Sequence, residues 1–240
     1  MPVHAITFDF WCTLFRDPTQ SRERKQIRVN ALSKATGAPP AKAAVALNAV
    51  SLEFARCHIE EQRTLDPLDA VRLAGANLGI PVPAEEVPRL AEVFATAILE
   101  YPPLPVDGAL DAVRAAAERV PVGLVSDTGL SPGRSLKELL RRNGFLDYFK
   151  VLVFSDEVGV SKPQCPMFET AARALGVAPS ELFHLGDIEI TDIAGAKSFG
   201  ASAALFAGEN AHYLGNTTAD HTFTAWPEFT RALPGLLATA

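Results

Sequence analysis

The stretch Val151–Phe206 reads VLVFSDEVGVSKPQCPMFETAARALGVAPSELFHLGDIEITDIAGAKSFGASAALF. Three short apolar runs stand out in it: Val151–Phe154, Leu182–Leu185 and Ala203–Phe206. Runs this short and this rich in Val, Leu, Phe and Ala suit parallel strands covered on both faces. Between them, Pro166–Leu175 and Ile193–Phe199 have the composition and length of helices. Upstream, Val3–Phe8 and Val122–Val125 repeat the strand pattern, and Gly108–Arg119 and Ser135–Asn143 repeat the helical one. Strands alternating with helices over short links predict βαβ crossovers, and so an α/β fold with a doubly wound parallel sheet. The tail from Ala219, with Phe223, Trp226 and Phe229, reads as a last edge strand and a closing helix.

One interval breaks the alternation. Between Arg16 and Pro103 there are only helical patterns, parted near Gly37-Ala38-Pro39-Pro40, Asp66-Pro67, Gly79-Ile80-Pro81 and Tyr101-Pro102-Pro103-Leu104-Pro105. The expected division is an α/β core from residues 1–15 and 104–240, with residues 16–103 forming a four-helix insertion. An insertion following the first strand lies where open α/β sheets bind ligands, which makes it a lid candidate, with a helical decoration or dimerisation surface as the other reading. The basic residues of Ser21–Asn30 read as a solvated helix face.

Composition narrows the chemistry. With 240 residues, 48% of them hydrophobic and 21% charged, the chain has ordinary globular make-up. A net charge of −6 disfavours nucleic acid or an anionic membrane as the main partner. Cys12, Cys57 and Cys165 are odd in number and lack CxxC spacing, as expected of free thiols in a reducing compartment. No stretch approaches the ~18 apolar residues of a membrane span. The N-terminus reads as a buried strand and not a signal peptide. The expected location is cytoplasmic, the expected partner a small anionic molecule, and the expected state a monomer or homodimer.

Four loops at predicted strand ends carry reactive groups. They are Asp9-Phe10-Trp11-Cys12-Thr13, Ser126-Asp127-Thr128, Ser161-Lys162-Pro163 and Gly186-Asp187-Ile188-Glu189-Ile190-Thr191-Asp192. Singly each is an ordinary turn or helix cap. Gathered on one rim of the sheet they would supply a nucleophile, a hydroxyl, a cation and a carboxylate pair able to hold a divalent metal.

The order and context of these motifs resemble the haloacid dehalogenase superfamily, in its branch with a helical cap after the first motif. The likeness covers nearly the whole chain and is strongest from Phe154 to Phe206. It implies a Rossmann-like core and a hydrolase in which Asp9 is a covalent nucleophile. It also implies that Thr13 and Ser126 bind the reacting group or orient the nucleophile loop, and that Lys162 offsets negative charge. Asp9, Asp187 and Asp192, with the Trp11 backbone carbonyl, would hold Mg²⁺, an ion that favours hard oxygen ligands.

The sequence departs from the family at one telling place. Family phosphatases carry a second aspartate two residues after the nucleophile, as acid and then base; here that residue is Trp11, followed by Cys12. Indole has no proton to exchange in the useful range, and losing a general acid–base group typically costs about 10²–10⁴ in rate. An aromatic residue there is a dehalogenase trait, whereas Asp187 is a phosphatase trait, because family dehalogenases lack the first carboxylate of that motif. Three activities therefore stay open: a Mg²⁺-dependent phosphatase of a small metabolite, a dehalogenase-type hydrolase, and a catalytically impaired binding protein. Asp127, a cap residue or the substrate itself are the candidates for a replacement proton carrier. Trp11 is expected either to stack on substrate or to pack beneath the lid. Cys12 fills a loop position and His184 belongs to the core.

Overall fold

A computed structural model describes residues 3–18 and 20–238. Met1, Pro2, Thr19, Thr239 and Ala240, which the expected domain spans include, lie outside the described residues. The chain divides into two compact units. The first comprises residues up to Arg16, Leu104–Asp127 and Leu140 onward; the second comprises Asp17–Pro103 and Thr128–Leu139.

The first unit is built on six parallel strands: β1 (Ala5–Phe8), β4 (Val122–Ser126), β5 (Phe149–Phe154), β6 (Leu182–Gly186), β7 (Ser202–Phe206) and β8 (His221–Phe223). Their order across the sheet is β5-β4-β1-β6-β7-β8. Every residue of β1, β4 and β6 is buried, as expected of strands covered on both faces. The chain winds outward from β1 to β5 on one side and to β8 on the other, so β1 stands beside the reversal point. Open α/β sheets bind ligands outside the carboxyl ends of the strands at such a point. A two-residue antiparallel ribbon joins β2 (Phe15–Arg16) to β3 (Leu104–Pro105), pairing Phe15 with Pro105 and Arg16 with Leu104.

The second unit holds α1 (Ser21–Thr36), α2 (Pro40–Arg56), α3 (Pro67–Leu78) and α4 (Val87–Glu100). Local chemistry sets their ends. Asp66 caps α3 by accepting from Asp69 N, while the Asp69 side chain accepts from Asp66 N, and Pro67 occupies the first turn. Gly37 and Gly79 close α1 and α3 in the left-handed conformation. Helix α1 packs on α2 and α4, and α3 packs on the same two, around Leu32, Leu47, Val71, Leu90 and Phe94.

The remaining helices are α5 (Ala109–Ala117), α6 (Gly133–Arg142), α7 (Ser155–Val158), α8 (Cys165–Leu175), α9 (Ala194–Phe199) and α10 (Trp226–Leu237). Among the described residues no helix is long and apolar enough to cross a membrane.

Two expectations are corrected. Residues 128–139 group with the helical unit and not the α/β unit: Ser135 Oγ donates to Ala95 O at 2.9 Å, and Arg134 pairs with Glu92 at 2.6 Å. Nor is the basic face of α1 simply solvated. Arg24 and Arg28 are both buried. Arg24 Nη1 donates to Tyr101 O at 3.0 Å, and its guanidinium also pairs with Asp17. Arg28 reaches Phe94 O through Nε and Nη2 at 3.1 and 2.9 Å, and burial, with Arg24 nearby, pulls its pKa down to about 10. Forked donors tie α1 to α4 where lysines would not.

Phe94 is wholly buried in the core of the helical unit. Phe94→Ala is expected to destabilise that unit by about 3–5 kcal/mol, read as a lowered urea midpoint for loss of helical signal.

Candidate active site

β1 delivers Asp9 to the sheet rim, where Asp9 N donates to Leu185 O at 2.8 Å and prolongs the pairing with β6 by one residue. The chain then turns sharply. Leu14 N and Phe15 N both donate to Phe10 O, at 3.0 and 2.9 Å, and Cys12 N donates to Phe15 O at 2.8 Å. The Phe10 ring stacks on Phe15 with centroids 4.4 Å apart and 7° between planes. Cys12 sits at φ +53°, a left-handed conformation unfavourable for a side chain that cannot bond locally. Burial pushes the Cys12 thiol up to about 12, aided by the charges of Asp187, Asp9 and Glu209, so it stays protonated and is a poor nucleophile. Trp11 is half-buried, its ring edge-on to Phe10 at 5.0 Å.

Lys162 is 2% exposed and lies in the link between α7 and α8. Its Nζ donates to Asp9 Oδ1 at 2.6 Å and to Asp192 Oδ1 at 2.5 Å, and its backbone N donates to Asp127 Oδ1 at 2.9 Å. Burial pulls the Lys162 pKa down, but Asp192, Asp9 and Asp127 outweigh that and hold it above the usual lysine range. Ser126 ends β4 fully buried, its hydroxyl donating to Asp127 O at 3.1 Å. Thr13 Oγ1 and Ser161 Oγ are buried without a hydrogen-bond partner among the described residues. Orphaned buried hydroxyls cost about 1–3 kcal/mol each, a cost that functional sites often retain.

The second carboxylate of the predicted pair is the more heavily hydrogen-bonded of the two. Asp192 is 1% exposed and engages both of its oxygens. Oδ1 accepts from Lys162 Nζ and, at 3.2 Å, from His184 Nε2; Oδ2 accepts from Ile188 N at 3.0 Å and Thr191 Oγ1 at 3.4 Å. Against the upward pull of burial, Lys162 and His184 hold its pKa below the usual carboxylate range. Asp192 is therefore an anchor for Lys162, with both oxygens hydrogen-bonded. Among the described residues no group of three or more His, Cys, Asp or Glu is arranged to hold a metal ion.

Asp187 differs from Asp192. One oxygen accepts from Asn210 Nδ2 at 2.7 Å. Burial raises its pKa, and the charges of Asp192 and Asp9 raise it further; Asp9 is likewise raised by burial, then by Asp192 and Asp127, with Lys162 opposing. Four carboxylates, those of Asp9, Asp127, Asp187 and Asp192, thus share the single ammonium of Lys162. Asp9 and Asp187 are both destabilised as anions, Asp187 in part by the charge of Asp9, and a hard cation beside them would relieve that.

Sequence reasoning missed two contributors. His184, read as core, is fully buried, but its ring spans Asp192 and Thr7, whose Oγ1 lies 2.9 Å from Nδ1. An imidazole inside an otherwise apolar strand was the available signal. Asn210 lies in the loop after β7, and nothing in its local sequence marks it.

Gly186 has a steric reason to be glycine. A Cβ there would fall 2.2 Å from Asp192 Cγ and 2.6 Å from its Oδ1. Gly186→Ala is expected to displace the Asp192 carboxylate and cost about 1–3 kcal/mol of stability by overpacking, read as a lower unfolding midpoint.

The sequence profile of the haloacid dehalogenase-like hydrolases matches residues 3–200. Pyrimidine 5'-nucleotidase YjjG of Escherichia coli is 33% identical over 127 residues, which is 52% of this chain and 53% of that protein. Phosphoserine phosphatase of Thermus thermophilus is 34% identical over 125 residues, 52% of this chain and 47% of that one. The chain thus spans about half the length of these curated relatives. In structure, it is similar to a HAD phosphatase from Thermococcus onnurineus, with a TM-score of 0.71 at 21% identity over 97% of this chain and 99% of that one, a likeness of fold. The chain belongs to the haloacid dehalogenase-like hydrolases.

Proposed function

We propose that this hydrolase is a Mg²⁺-dependent phosphatase of a small phosphorylated metabolite, with Asp9 as the covalent nucleophile. The observation that carries the reading is Asp187, a buried carboxylate near enough to Asp9 for the Asp9 charge to raise its pKa. A nucleophile that needs only to displace halide gains nothing from a second carboxylate in that place. The names of the relatives, nucleotidase and phosphatase, support the same choice.

Asp9, Asp187 and the Trp11 carbonyl are the groups that would hold Mg²⁺, whose charge, when bound, offsets that of the phosphoryl group. Lys162, bonded to Asp9 Oδ1, fixes the carboxylate and leaves its other oxygen to attack phosphorus. Asp192 and His184 hold that ammonium in place from behind. Ser126 and Thr13 supply hydroxyls to the equatorial oxygens. As an insertion in the connection after β1, the helical unit is the proposed selector of substrate. A cytoplasmic setting suits such a role.

A dehalogenase reading is favoured by one observation, the indole of Trp11 where an acid would stand. The two are separated by p-nitrophenyl phosphate and a 2-haloacid, each assayed with Mg²⁺ and with chelator. Phosphate release that needs Mg²⁺ and falls to background in Asp9→Asn is the expected result. Halide release in chelator would overturn it.

A further inference from the structure

Helix α2 runs without a break into a wider turn, Cys57–Glu61, so that one helical rod spans residues 40–61. Its inner face belongs to the core of the helical unit through Ala43, Leu47 and Val50. Its outer face is apolar as well. Val45, Leu52 and Ile59 are 68%, 73% and 43% exposed, and the first two are the most exposed large apolar side chains among the described residues. The three recur every seven residues and so stand in one line. Ala41, Asn48 and Ala55, all exposed, fall between them at alternating steps of four and three. A single exposed leucine is ordinary. A seam with the spacing of a coiled coil, on a helix whose opposite face is already buried, is a surface built to pack on another helix.

Charge says what fits there. From Pro40 to Leu52 the rod has no acid; it carries Lys42, and Lys25 of α1 reaches alongside to donate to Asn48 Oδ1. Beyond Leu52 come Glu53, Glu60 and Glu61, which Arg56 and Arg63 offset only in part. One half of the rod is thus basic and the other acidic, with Leu52 at the divide. A second copy lying parallel would set like charges together. A second copy lying antiparallel sets each basic half against an acidic one.

We infer that two copies of this chain meet on this face, their α2 helices antiparallel about a two-fold axis near Leu52. Such an axis brings the same patch of both subunits together, so the two Leu52 side chains lie side by side and Val45 of each copy lies toward Ile59 of the other. The seam is about 27 Å long at 1.5 Å per residue. A contact this narrow belongs at the low end of interface sizes, so the dimer is expected to form and dissociate with concentration. Pairing here needs no substrate and is independent of which ester Asp9 attacks.

The test is sedimentation velocity of the full chain over about a hundredfold range of concentration. Wild type is expected to pass from monomer to dimer. Leu52→Glu sets two like charges side by side at the axis and is expected to weaken the dimer by about a hundredfold or more. Leu52→Lys is expected to do the same, and both are expected to keep the wild-type unfolding midpoint, because Leu52 is exposed. An equimolar mixture of the two variants is expected to regain the dimer, which neither a misfolded chain nor lost apolar area alone would produce. Wild type that stays monomeric throughout overturns the pairing, whether the face is then found bare, bound to lipid vesicles or taken by another protein. A dimer that survives Leu52→Glu unchanged, or a mixture that stays monomeric, overturns it too.

Discussion

The buried ammonium of Lys162 holds the α/β unit's rim together. Removing a lysine head and two carboxylates from water costs several kcal/mol per ion, and only close pairing with further hydrogen bonds recovers it. The contacts at 2.6 and 2.5 Å to Asp9 and Asp192 do so, and Ile188 N, Thr191 and His184 complete the second carboxylate. These groups come from β1, the link before α8, β6 and the turn after it. Charge pairing at one atom thus fixes the relative placement of three segments far apart in sequence. The arrangement is also unbalanced, with more buried carboxylates than cations. Asp9 and Asp187 carry that imbalance as raised pKa values.

The sheet and most helix ends were legible because their causes are local. Apolar runs marked β1, β4, β6 and β7, and Gly37, Asp66-Pro67 and Gly79 marked the helix boundaries. Asp9, Ser126 and Asp187 were legible because each stands at or just past a strand end, whereas Lys162 follows the short helix α7. Their division of labour was not. Asp187 and Asp192 look alike in sequence, and what separates them is that the chain folds Asp192 back over Gly186, against a backbone with no side chain. Arg24 and Arg28 misled for the opposite reason: a charged helix face suggests water, whereas the carbonyls of Phe94 and Tyr101 that satisfy them come from a helix more than 60 residues on in the chain. The grouping of 128–139 with the helical unit likewise depends on packing that sequence adjacency hides.

The loop after β1 shows how an aromatic pair can take over a task usually given to polar contacts. Phe10 and Phe15 stack within the loop, and the Phe10 carbonyl gathers two amides. With that framework in place the loop holds Cys12 in a left-handed conformation and still presents Asp9 at the strand end. Offset ring contacts contribute about 0.5–1.5 kcal/mol beyond area burial, comparable to the penalty of about 1–2 kcal/mol for a left-handed residue.

The ribbon of β2 and β3 has a consequence for descent. Through it the chain leaves the sheet at Arg16 and returns at Leu104, on two strands hydrogen-bonded to each other. The exit and the return share one doorway, but the inserted helices also hold residues 128–139 through Ser135 and Arg134. Any change in the inserted segment therefore has two junctions to respect, the ribbon and that later stretch of chain.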